Sequence, residues 1–321
     1  MLSILAITFP FFALVLAGYL AARRRMLPFE AISGLNTFVL FFALPCMLYR
    51  FGASTPIAQL LDPVALATWL VCALLVVALT VKFSMNARIR WNDASFGALV
   101  AAFPNTGFMG VPLLVALLGA RAAGPAILTI VIDLVVTSSL CIALSRLDGA
   151  DEHGAAEAAK KALEGVALNP MPWAILLGGL SSASGWRPVA PVMNTIGLLA
   201  DAASPVALFT IGAVLARSQF VGSQSEHGPL PTRDFVPASL VKLLLHPLLV
   251  WGLGTAIRAA GLPLDAFTLH VMVLVAALPS ASNVSLLAER FGADTGRIAR
   301  IILLTTAASF LTFSGAVALL E

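Results

Sequence analysis

Ala102-Phe103-Pro104-Asn105-Thr106-Gly107-Phe108-Met109-Gly110-Val111-Pro112-Leu113-Leu114 sets prolines, glycines and an asparagine inside an apolar run long enough to cross a bilayer. In hydrocarbon every unpaired backbone N–H or C=O is costly. Non-helical chain at that depth therefore persists only where protein buries it or where it lines a ligand cavity. The stretch predicts a helix broken at a binding site. Ala276-Ala277-Leu278-Pro279-Ser280-Ala281-Ser282-Asn283-Val284-Ser285 is a second such break, at a comparable position in the other half. Paired interruptions in two halves are the usual sequence pointer to the site of a secondary transporter.

Composition places both breaks in a membrane. Hydrophobic residues make up 60% of the chain and charged residues 11%, with a mean hydropathy of +0.97; a soluble globule carries roughly 25% charged residues. About ten apolar runs approach the ~20 residues that span a hydrocarbon core. They are Leu2–Ala21, Ala31–Phe51, Val64–Met85, Ser95–Gly119, Ala122–Ser145, Ala167–Trp186, Pro191–Leu215, Phe235–Ile257, Ala266–Ala288 and Ile298–Leu320. The expected fold class is an all-α polytopic membrane protein. Arg23-Arg24-Arg25 follows the first run at once and no basic region precedes it, the pattern of a retained anchor rather than a cleaved signal.

The hydrophilic stretch after Ser145 divides the chain into residues 1–145, a linker over 146–166, and residues 167–321. Each flank holds five runs. Five is odd, so the halves have opposite topology, which permits an inverted repeat. Residue-level similarity is thin: Ala-Phe-Pro-Asn from Ala102 against Ala-Leu-Pro-Ser from Ala277. Most of the 19 Lys and Arg residues fall in alternate turns, while the opposite turns hold Arg50, Arg121, Arg187 and Arg258. Basic residues are retained on the cytoplasmic side, so both termini are expected on the other side. The same asymmetry accounts for the net charge of +3 and the pI of 9.0 without a nucleic-acid partner. Cys46, Cys72 and Cys141 lie in apolar runs at wide spacing, with neither a disulfide framework nor a metal motif.

Broken helices expose free N–H groups at their restarts, where the helix dipole places partial positive charge. Such a site suits a carboxylate. Asn105 and Asn283 add amides that donate to a ligand oxygen. Thr106, Ser280 and Ser282 can satisfy freed backbone or touch the ligand, while Pro104, Gly107 and Pro279 shape the breaks. A lone proline more often just kinks a packed helix; a Pro-Asn-Thr-Gly cluster with a partner in the other half favours the site.

The run from Pro104 to Leu114 resembles the fourth-helix signature of the auxin efflux carrier family, which includes plant PIN proteins and bacterial malonate-transporter-like members. Phe41-Phe42-Ala43-Leu44-Pro45, Ala203-Ser204-Pro205-Val206-Ala207-Leu208-Phe209-Thr210-Ile211-Gly212-Ala213 and Lys242-Leu243-Leu244-Leu245-His246-Pro247-Leu248-Leu249 resemble its second, seventh and eighth helices. The resemblance implies ten helices in a five-plus-five inverted repeat, with helices four and nine crossing near the midplane. Helices one, two, six and seven would form a scaffold that dimerises, and three to five with eight to ten would carry an organic anion in an elevator-like movement. Asn105 falls on the family's substrate-binding asparagine. A bacterial inner membrane is the expected location. The short central loop and Asn283 set the chain apart from plant carriers, so malonate or a similar carboxylate is a better expectation than auxin.

Ionisable residues inside the runs are the next candidates, because a charge at the bilayer centre costs at least ~2.5 kcal/mol. Asp133, among Ile130-Val131-Ile132 and Leu134-Val135-Val136, should pair with a cation or be protonated. It is a candidate handle for H+ or Na+, alongside His246 and Lys242. The last two are four apart and share a helix face; Lys242 stands near enough to Asp234 that snorkelling to the interface is the simpler expectation. Asp201, in a scaffold helix, reads as structural. No other cofactor and no metal is expected, and zinc, nucleophile-elbow and phosphate-loop motifs are absent, so an enzyme is not. The expected partners are a small carboxylate, membrane lipid and a second copy of the chain. Two other classes stay open: a cation–proton antiporter or sodium-coupled symporter of similar crossed-helix design, and a non-transporting membrane receptor or scaffold.

Overall fold

The computed structural model describes residues 2–86, 88–147, 160, 164–165, 167–223 and 231–320. Most of the linker expected over 146–166 lies outside the described residues. All regular structure among the described residues is helical. In chain order the helices are α1 (Leu2–Arg23), α2 (Phe29–Ser54), α3 (Pro63–Ser84), α4 (Trp91–Ala102), α5 (Thr106–Leu118) and α6 (Ala120–Leu144). Then follow α7 (Pro170–Ser184), α8 (Ala190–Ser223), α9 (Val236–Ala259), α10 (Ala266–Ala277), α11 (Val284–Arg290) and α12 (Thr295–Leu320).

Among the described residues 7 helices are long and apolar enough to cross a membrane. The other expected spans differ for local reasons. The fourth and ninth runs are each split, into α4 with α5 and α10 with α11, because Pro104 and Pro279 remove backbone donors and hold the preceding residue extended. The sixth run yields the 15-residue α7, which starts at the cap formed by Asn169 Oδ1 on the Met171 N–H (3.0 Å) and stops at Gly185.

The chain forms two compact units. The first comprises Met1–Asp62, Thr106–Ile130 and Asn169–Val221; the second comprises Pro63–Asn105, Val131–Leu168 and Gly222–Glu321. In the first, α1 and α8 approach so closely that a Cβ on Gly18 would meet the Phe209 carbonyl and one on Gly212 the Val15 carbonyl. Helices α2 and α7 cross in the same way, with a Cβ on Gly178 only 2.8 Å from the Tyr49 carbonyl oxygen and 3.1 Å from Gly52 Cα. Small residues let membrane helices gain dispersion contacts where no hydrophobic drive separates them from lipid. In the second unit α4 is buried on every side from Ala94 to Ala102, as is α10 from Val271 to Ala277. Helices apolar all round belong in an interior, so both half-helices that lead into the breaks lie in that unit's core.

Among the described residues four wide turns of π type interrupt the helices, at Val39–Ala43, Thr106–Gly110, Asp133–Thr137 and Val241–Leu245. Three of them end two residues before Pro45, Pro112 or Pro247. A proline ring clashes with the carbonyl four residues back, and widening the preceding turn relieves the clash. The turn at Asp133 has no proline; there the Ser138 hydroxyl donates to the Asp133 carbonyl (2.8 Å). Such turns recur at functional sites, and Asp133 and Lys242 each occupy one.

Candidate functional site

The two breaks meet within the second unit. Helix α4 gives way at Phe103 (φ −95°, ψ 102°) and α10 at Leu278 (φ −62°, ψ 157°), both extended ahead of proline. The extended stretches pair antiparallel at Pro104 and Ser280. The Asn105 N–H donates to the Pro279 carbonyl (2.8 Å) and the Ala281 N–H to the Phe103 carbonyl (3.0 Å). The Ser280 N–H donates to Thr305 Oγ1 of α12 (3.3 Å). Backbone released by breaking two helices is thus satisfied mainly by the other break, as a buried interior demands.

Polar side chains remain around this strip with nothing to bind. Asn105 is 4% exposed, yet its amide has no hydrogen-bond partner among the described residues. Ser280 Oγ is buried and equally unpartnered. Ser282 is buried and Asn283 half-buried at the start of α11, where the Asn283 side chain forms no cap. Buried polar groups in native proteins are overwhelmingly hydrogen-bonded, so these unfilled amide and hydroxyl groups are the candidate ligand contacts. The sequence expectation of free N–H groups needs one refinement: those of Asn105 and Ala281 are engaged in the pairing. Thr106 and Gly107 belong to the first unit; Thr106 is fully buried, and a Cβ on Gly107 would stand 3.5 Å from Leu44.

A second polar cluster in the same unit gathers the ionisable candidates. Asp133 is fully buried, and its Oδ1 accepts from Trp69 Nε1 (3.1 Å) and Thr137 Oγ1 (3.1 Å). Its Oδ2 has no partner among the described residues. The Trp69 ring lies 5.2 Å from the His246 ring, centroid to centroid. Lys242 Nζ donates to the Ala276 carbonyl (2.7 Å) and lies 3.3 Å from His246 Nδ1. An ammonium only donates, so Nδ1 accepts and a neutral ring carries its proton on Nε2, which is buried and unpartnered among the described residues.

Lys242 therefore corrects the expectation of snorkelling: it is fully buried. The reason lies in α10. The last carbonyls of a helix lack intrahelical partners and carry the negative end of its dipole, and breaking the run at Leu278 creates such an end inside the protein. Lys242 fills it. The cluster is thereby tied to the pairing strip through two residues of chain, Ala277 and Leu278. Asp201 is elsewhere, in the first unit, where it pairs with Arg50 (2.6 Å).

Sequence reasoning missed Trp69 and Thr305. A tryptophan within an apolar span must find a partner for its N–H when buried, and that signal was present at Trp69. Thr305 carried none, since hydroxyls in membrane helices commonly bond their own helix, as Thr305 also does to Ile301 (2.8 Å).

Comparison with known proteins bears on this arrangement. Residues 3–317 match the family model described as "Membrane transport protein". The chain is 30% identical to the "Putative malonate transporter" of Rhizobium meliloti (strain 1021), over 98% of this chain and 95% of that one. It is 28% identical to "Uncharacterized transporter YfdV" of Escherichia coli (strain K12), covering 89% and 88%. Identity to "Auxin efflux carrier component 8" of Arabidopsis thaliana is 23%, covering 86% of each.

Proposed function

Because the chain belongs to the membrane transport protein family of the auxin efflux carriers, we propose that it carries small organic anions across the membrane, with malonate or a similar carboxylate as substrate. The observation that carries this reading is the buried, unpartnered Asn105 amide beside the paired breaks. A carboxylate there accepts hydrogen bonds from the Asn105 amide, from Ser280 Oγ and from Ser282 and Asn283. Charge-assisted bonds of this kind are about twice as strong as neutral ones. A dicarboxylate uses both sets of donors, which favours malonate over a monocarboxylate. The name of the Rhizobium relative points the same way.

Movement is of the elevator type: the third to fifth and eighth to tenth spans carry the substrate, and the first, second, sixth and seventh form the scaffold of a homodimer. The chain lies in a bacterial inner membrane with both termini on the non-cytoplasmic side. Asp133, His246 and Lys242 couple transport to H+ or Na+. The unfilled Asp133 Oδ2 is where a proton or small cation exerts its effect, and Lys242 transmits it to the break through Ala276. The test is uptake of labelled malonate and a panel of mono- and dicarboxylates into proteoliposomes, with sodium, proton and voltage gradients imposed separately. Saturable flux driven by one gradient supports the reading. Absence of carboxylate flux with any gradient, in protein shown to be folded, overturns it.

A further inference from the structure

Helix α7 is too short for its setting. Its 15 residues rise roughly 22 Å at 1.5 Å each, against a hydrocarbon core of ~30 Å. It stops at Ser184 because Gly185 turns left-handed (φ 71°), and Trp186–Val189 continue without regular structure to α8. A groove of about 510 Å³ runs along the later turns of α7, between α2 and the start of α8, within the first unit. Its walls include Pro45, Cys46, Leu177, Leu180 and Ile196.

The hydroxyls on its walls are already engaged. The Tyr49 and Ser181 hydroxyls bond each other (3.0 Å), and Ser184 Oγ donates to the Leu180 carbonyl (2.7 Å) while accepting from the Trp186 N–H (3.3 Å). A polar ligand entering would lose its hydration with little in return, whereas an alkyl chain loses nothing. Leaving the groove, the character changes. Trp186 at the rim is 63% exposed, the placement of a side chain that sits at headgroup level. Arg187 follows it, exposed and without an ion pair among the described residues, and a guanidinium is well matched to a phosphate.

We propose that this groove is a lipid site: one acyl chain of an anionic phospholipid fills it, with the phosphate held at Arg187. Charge favours a lipid over a second copy as occupant, since an anionic headgroup neutralises Arg187 whereas a two-fold contact puts two copies of that positive charge into one interface. The acyl chain would lie along α7 and bridge α2 to the start of α8.

Trp186 is the reporter. The full chain and its Trp186→Phe variant are placed in phosphatidylcholine nanodiscs containing increasing fractions of phosphatidylglycerol brominated on its acyl chains, or of brominated phosphatidylcholine. The difference in emission isolates Trp186. Quenching should saturate, with a half-saturating fraction about fivefold lower for the anionic lipid, the factor expected from one basic residue acting on an anionic headgroup. Arg187→Gln, an exposed change that leaves the groove intact, should abolish the headgroup preference but not the quenching. Ala174→Phe, which fills the groove wall, should remove the saturable part. Linear quenching identical for both lipids and in both variants would overturn the proposal in favour of ordinary surrounding lipid. Absence of quenching, together with efficient cross-linking of two chains through Cys46, would overturn it in favour of a second copy.

Discussion

Replacing Thr305 with valine tests how the break in the ninth run is held. Valine keeps the shape of threonine and loses only the hydroxyl. The Ser280 N–H then has no acceptor, at a position 1% exposed, and an orphaned buried donor costs about 1–3 kcal/mol. The lower part of that range applies for two reasons. The bond is long, at 3.3 Å, and the hydroxyl also back-bonds to Ile301 (2.8 Å) and Ile302 (3.1 Å), an arrangement that slightly destabilises a helix and is relieved by valine. A net loss of about 1–2 kcal/mol lowers the melting temperature by roughly 2–8 °C on the scale of domains of this size. The assay is thermal unfolding in one detergent for the native chain, Thr305→Val and Thr305→Ser. Serine restores the acceptor and should melt with the native protein. If Thr305→Val also melts with it, Thr305 does not hold the Ser280 backbone and the break is fixed by its pairing with Pro104 alone.

Gly178→Leu should prevent correct assembly of the first unit, since its Cβ would come within 2.8 Å of the Tyr49 carbonyl oxygen and overpacking typically costs about 1–3 kcal/mol or more; loss of monodisperse protein on size exclusion is the readout. Gly197→Ala should be neutral or stabilising by about 0.5–1 kcal/mol, because a Cβ there meets nothing within 4 Å and glycine is costly inside a helix. Trp69→Phe and Thr137→Val each remove one donor to Asp133 Oδ1, so each should destabilise by about 1–3 kcal/mol. Together they leave that oxygen with neither side-chain donor, and a double-mutant cycle should show coupling above about 0.5 kcal/mol; strict additivity would mean the two donors do not share one acceptor.

The breaks were legible because proline, asparagine and glycine act locally: Pro104 and Pro279 end helices at the residue before them whatever surrounds the chain. Composition likewise made the membrane class plain. What stayed hidden was pairwise. Which backbone group takes the Asn105 N–H, or which hydroxyl takes that of Ser280, depends on residues far apart in sequence, and thinly similar halves offered no register. Lys242 was misread because distance along a helix from Asp234 says how far a side chain could reach, not that a half-helix end would wait for it. Trp69 and His246 met for the same reason, through packing of α3 on α9 that no local pattern encodes.

The central claim is that a substrate carboxylate binds at the paired breaks through Asn105. Equilibrium binding of labelled malonate to purified protein, native against Asn105→Ala, tests it most directly, with thermal unfolding as the check on folding. Losing a hydrogen bond to a charged ligand costs about 1.5–3 kcal/mol, which predicts roughly ten- to hundredfold weaker binding with an unchanged melting temperature, because the amide has no partner among the described residues. Unchanged malonate affinity in a folded Asn105→Ala variant would contradict the account and move the site away from the breaks.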